Sequence, residues 1–188
     1  NPQAALSDPV KPITYYLGRG IPDRWKPHIT AGVLQWLPVF EAAGFSNAIR
    51  VLDAPTPEQD PDWSAEDVTI NVIRWLPEEH VNAMGPRVAD PRSGETLSAH
   101  IVVWPSVIDF FSKYYWSMFG GSGVDRSAPK LPLSDDKAGA LLGYAVAHEV
   151  GHTLGLMHNQ LASTAHTVAQ LRDPRFANRA GPNSSIMA

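Results

Sequence analysis

The sequence predicts an α+β fold. Short runs rich in β-branched and aromatic residues recur up to Trp104, and two longer segments carry apolar residues at helical spacing. The chain has 188 residues and no cysteine, enough for one domain whose core needs no covalent staple.

Pro2, Pro9 and Pro12 make residues 1–12 an extended lead-in, and residues 13–188 read as one folded unit. Ile13–Leu17 is a strand. Between Trp25 and Ala43, Ile29, Val33, Trp36, Leu37 and Phe40 recur at helical spacing. Asp23 is the expected cap of that helix, Gly44 its stop and Pro38 a kink inside it. Ala48–Leu52 is a second strand. Asp53–Asp67 holds three prolines and six acids and reads as a solvated loop; a structural calcium site there would need converging oxygen ligands, which this spacing does not show. Val68–Leu76 is expected as a buried strand. Asn82–Ala89, the turn Asp90–Gly94 and the apolar run Leu97–Trp104 form a hairpin.

Asp109–Phe119 carries six of the 17 aromatic residues and is expected as a short amphipathic helix, packed through those rings and ended by Gly120, Gly121 and Gly123. Ser134 caps the last clear helix, with Asp135 and Asp136 where the helix dipole favours negative charge. That helix runs to about Leu154. Leu141, Leu142, Ala145, Val146, Val150 and Leu154 leave it no solvated stripe, so it must be buried, and Gly139, Gly143 and Gly151 mark close approach of its neighbours.

Charge and hydropathy narrow the function. Nineteen acidic against 15 basic residues give a net charge of -4, without a basic field for nucleic acid. The longest apolar run, Ala138–Ala147, falls well short of the roughly 18 residues of a membrane span. Asn1 is not an initiator methionine and no signal peptide follows it, so the chain is expected to be a piece of a longer precursor with other domains.

Into the buried helix the sequence sets His148, Glu149 and His152, followed by Gly155 and His158. At about 100° per residue, His148 and His152 point about 40° apart on one face, and Glu149 lies within the same arc. A catalytic zinc site takes three protein ligands and leaves one position open. No glutamate follows Val150, and Asp173 sits directly before Pro174 in an expected loop, so His158 is the better third ligand. Gly155 in the left-handed conformation would end the helix and turn the chain back toward the ion. One cation would satisfy all these buried groups together. His28, His80, His100 and His166 lack ligand spacing and read as structural or surface residues.

These residues resemble the metzincin clan of zinc endopeptidases, whose motif is H-E-x-x-H-x-x-G-x-x-H followed by a methionine turn. Ser185-Ile186-Met187, 29 residues after His158 at its methionine, is similar to that turn. The resemblance covers most of the chain. It implies a metzincin-like zincin fold with a twisted mixed sheet and two long helices, the second carrying the motif. The upper subdomain would span 13–155 and a partial lower one 156–188, truncated because the clan continues past the methionine turn. It also implies one catalytic zinc on His148, His152 and His158, Glu149 as general base and acid, and Met187 as an apolar floor. Met84, Gly85, Pro86, Arg87 and Val88 would form the edge strand for an extended peptide or protein substrate. HEVGHTLGLMHN, with Asn159 after the third histidine, resembles a bacterial branch of secreted or envelope metallopeptidases, which implies a secreted or periplasmic location. The alternative is a metal-holding binding domain without turnover, against which Glu149 speaks.

Overall fold

The computed structural model describes residues 4–121, 125–128, 130–181 and 183–188, so Gly123 lies outside the described residues. The architecture is α+β. Among the described residues one sheet has the order β2-β1-β3-β6-β4, with β5 also paired to β6. Its strands are β1 (Ile13–Leu17), β2 (Ile49–Asp53), β3 (Asn71–Trp75), β4 (Ala83–Met84), β5 (Arg87–Ala89) and β6 (Thr96–Val103). β1 pairs in parallel with β2 and β3, and β3 in parallel with β6, whereas β4 and β5 run antiparallel along β6. The mixed sheet therefore ends in one reversed edge.

The expected helix from Trp25 to Ala43 is two helices, α1 (Lys26–Leu34) and α2 (Leu37–Ala42). Pro38 has no N–H to continue the ladder and stands in the first turn of α2, so the chain breaks at Gln35–Trp36 instead of bending. Asp23 is not the cap. Its carboxylate pairs with Lys26 Nζ at 2.9 Å, and the N-cap Trp25 makes no side-chain capping bond. Gly44 ends the segment as expected, at φ +93°.

The strand expected at Val68–Leu76 begins only at Asn71, because the Asp67 carboxylate accepts bonds from the Thr69 N–H at 2.8 Å and hydroxyl at 2.7 Å and holds a turn there. Other loop acids are spent locally: Glu66 binds Arg74 at 2.7 Å and Asp53 binds Lys26 at 3.3 Å. The hairpin forms, but its first arm is split at Gly85-Pro86 into β4 and β5.

The aromatic helix α3 is Ser106–Tyr115, three residues earlier than its first expected position, and runs into a π-helical turn, Trp116–Gly120. Phe111, Tyr115 and Trp116 pack on the core, whereas Phe110 and Tyr114 stay exposed and stack on each other. Helix α4 (Asp135–Thr153) has the expected bounds, with Ser134 Oγ accepting the Lys137 N–H at 3.3 Å, but it is not buried all round: Asp136, Ala140 and Tyr144, one turn apart, form an exposed line.

The core joins β1, β3 and β6 to α1 and α4 through Tyr15, Ile73, Ile101, Ile29, Leu142 and Val146. Where α1 crosses α4, Gly32 faces Gly143 so closely that a side-chain carbon on Gly32 would overlap the Gly143 carbonyl. The crossing fixes α4 against the sheet. At its C-terminal end, Tyr15 and Thr153 share a buried hydroxyl bond of 2.6 Å, and Thr96 Oγ1 donates to the Thr153 carbonyl at 3.2 Å. The turn that bears the histidines is thereby pinned to β1 and β6.

Candidate metal centre

Helix α4 stops by a Schellman turn. The Leu156 N–H donates to the Gly151 carbonyl and the Gly155 N–H to the His152 carbonyl, both at 3.0 Å, with Gly155 at φ +95°. The left-handed residue reverses the chain and carries His158 back beside the helix. His158 Nε2 lies 3.1 Å from His148 Nε2 and 3.2 Å from His152 Nε2.

The remaining ring nitrogens decide what these atoms can do. His148 Nδ1 lies 2.7 Å from the Ile186 carbonyl and His152 Nδ1 lies 3.0 Å from the Leu156 carbonyl. A carbonyl only accepts, so both Nδ1 atoms donate, and in the neutral form of each ring Nε2 is then the nitrogen with a free lone pair. His158 Nε2 has at most one proton to offer the two. A cation resolves the conflict at once. Nitrogens bound at about 2.0–2.1 Å to a tetrahedral zinc stand about 3.4 Å apart, close to the separations here. Among the described residues these three histidines are the one group able to hold a metal ion through three or more side chains, their ligand atoms all within 4.8 Å of one another.

Glu149 lies against this cluster. Its side chain is 8% exposed, and burial pushes its carboxyl above the ordinary value, opposed by the three nearby histidines and by a hydrogen bond from the Gly85 N–H. Gly85 rides on α4 at that point, where an added side-chain carbon would overlap the Glu149 carbonyl. On the opposite side of the helix, Met187 is 2% exposed, and a carbon on Gly151 would come within 2.6 Å of its Sδ. Met187 is therefore packed under the turn between His148 and His152. Its carbonyl accepts the Asn159 N–H at 2.7 Å, which ties the stretch after His158 to the methionine turn.

Met84, Gly85, Pro86 and Arg87 border the same cleft, which measures about 560 Å³ and is floored by the three histidines and Glu149, whereas Val88 does not line it. Beside His148 and Glu149 a smaller pocket of about 280 Å³ opens between Phe110, Phe111, Tyr144 and Ala145. A larger groove, lined by Trp25, Trp75 and Lys113 among others, shares no residue with the histidine cluster. His148, Glu149, His152, Gly155, His158 and residues 84–87 thus line one cleft, with Met187 packed against Gly151 outside its lining and Val88 outside it as well. His28 packs against Gly139, His80 edges onto Trp104, His166 edges onto Phe176, and His100 sits on β6 with its pKa lowered by burial.

Sequence reasoning missed the carbonyls of Ile186 and Leu156, which have no side-chain signature. It also missed Trp36 in this role: the break between α1 and α2 lets its indole N–H donate to the Ala147 carbonyl at 3.0 Å, one residue before His148. The only sequence signal for that was a tryptophan two positions before a proline.

Residues 130–188 match a family model described as Met-zincin. No curated protein and no solved structure matches the chain.

Proposed function

We propose that the chain, whose residues 130–188 match the Met-zincin family model, is a metzincin-type zinc-dependent endopeptidase, with His148, His152 and His158 holding one ion and Glu149 acting as base. The observation that carries this reading is the convergence of three Nε2 atoms beside a buried carboxyl group. Zinc, when bound, supplies Lewis acidity that polarises a peptide carbonyl and acidifies water.

The chain's own groups do the rest. The Ile186 and Leu156 carbonyls fix the tautomer and tilt of His148 and His152, as partners outside a ligand set commonly do. Met187 gives the ligand turn an apolar floor. Glu149 takes one proton from the attacking water as its oxygen bonds to the peptide carbon, then passes that proton to the amine nitrogen as the C–N bond breaks. The Gly85 N–H favours the ionised form of that carboxyl. An extended substrate adds to the free side of residues 84–88, and the pocket walled by Phe110, Phe111 and Tyr144 takes an apolar side chain. The family resemblance favours a bacterial protein acting outside the cytoplasm.

Glu149→Gln tests the reading. The amide still accepts from Gly85 but cannot take a proton, so zinc content stays at the parent level while cleavage of a casein-type substrate falls about 10²- to 10⁴-fold. Parent-like cleavage by the variant refutes the mechanism. A zinc-loaded parent that cuts no peptide leaves the binding domain as the better reading.

A further inference from the structure

Resting on the edge-strand reading above, we infer that Arg87 is a specificity-determining residue that selects peptides carrying a carboxylate side chain, Asp or Glu, to one side of the bond to be cut. Arg87 opens β5, the reversed edge of the sheet, and is exposed. The preceding Pro86 turns its carbonyl inward, accepting the His100 N–H at 3.0 Å. Backbone groups alternate along a strand, so the N–H and C=O of Arg87 face outward, where an added peptide would pair.

Its side chain is held over the cleft. Nη1 donates to Thr96 Oγ1 at 3.2 Å, and Nη2 lies beside the turn at Gly155, where a side-chain carbon would stand 3.5 Å away. The guanidinium thus lies against the turn that carries the histidines, at ordinary contact distance. Thr96 occupies one N–H, and among the described residues no carboxylate pairs with the group. Arg87 is the one lysine or arginine lining the cleft, and Glu149 its one acid. A guanidinium held in place with N–H groups to spare binds a carboxylate in two-point fashion. Along the strand Arg87 is two residues from Gly85, which marks the position of Glu149. The selected acid therefore lies two or three residues from the scissile bond.

The probes are fluorescein-labelled octapeptides that differ only by Glu, Gln or Lys at one scanned position, titrated into the zinc-loaded full chain carrying Glu149→Gln and read by anisotropy. At one position Glu should bind about three- to tenfold tighter than Gln, and Lys more weakly, the difference shrinking as salt rises. Adding Arg87→Gln should bring the Glu/Gln ratio to about one, and adding Arg87→Glu should turn the preference to Lys. Melting curves and zinc content check that each variant is folded; Arg87→Lys, which keeps the charge, should retain part of the preference. Ratios within twofold at every position, a Glu preference that survives Arg87→Glu, or no binding by any probe overturns the proposal. In those cases Arg87 serves only the end of α4. Failure of the parent to cut any peptide is a separate result that removes the peptidase reading and leaves the binding comparison decisive for Arg87.

Discussion

The carbonyls beside His148 Nδ1 and His152 Nδ1 make the strongest case for a cation, because they leave each neutral ring its Nε2 lone pair, and both Nε2 atoms converge on His158. Removing one ring should therefore cost metal, not merely packing. His152→Ala is expected to lower bound zinc sharply, as measured by elemental analysis after dialysis. Full occupancy in that variant would sink the ligand assignment. The ligands and the base were legible in the sequence because helical periodicity fixes the directions of His148, Glu149 and His152, and Gly155 marks the turn that returns His158. The carbonyls of Ile186 and Leu156, and the contact of the Gly85 N–H with Glu149, were not, since these backbone atoms are placed by strand register and by the course of a distant turn.

Among the elements, α4 is held from three sides: by α1 at the Gly32–Gly143 crossing, by β1 and β6 through Thr153, and by α3 through a polar cluster. In that cluster Asp125 accepts from Lys137 Nζ at 2.8 Å and from the Tyr115 hydroxyl at 2.6 Å. Gly32→Ala would drive a methyl into backbone, which has no rotamer by which to yield. A loss of about 1–3 kcal/mol is expected, read as a Tm lowered by several degrees, and an unchanged Tm would contradict the packing described. The bond from Lys137, with those from Ser127 and Tyr115, holds the Asp125 carboxyl well below the usual carboxylate range. A depressed folded pKa stabilises above the unfolded value, near 4, and that gain is lost as pH falls below it. Acidifying from pH 5 to 2 should therefore cost the parent more stability than Asp125→Asn, measured by urea midpoints; parallel profiles would dismiss the linkage. The order of these elements was readable from apolar spacing. Their breaks were less so, because Pro38 could bend or end a helix and only the docking of Trp36 on α4 decides between them.

At the scale of the whole molecule, the site joins segments far apart in the chain: α4, the reversed edge at Gly85, and the methionine turn with Ile186 and Met187. A bound ion would add its own stabilisation to all three, in proportion to the logarithm of free metal over its dissociation constant. Chelation is thus expected to lower Tm and to speed protease nicking between Asn159 and Ser185, both reversed by zinc; a Tm indifferent to chelator would argue against a resident ion. The zinc environment itself can be read by X-ray absorption at the zinc edge on the full chain, with metal content measured on the same sample. One zinc per chain in a shell of three imidazole nitrogens at about 2.0–2.1 Å and one further light ligand is the expected result. A chain that takes up no zinc, or a shell without imidazole, would contradict it.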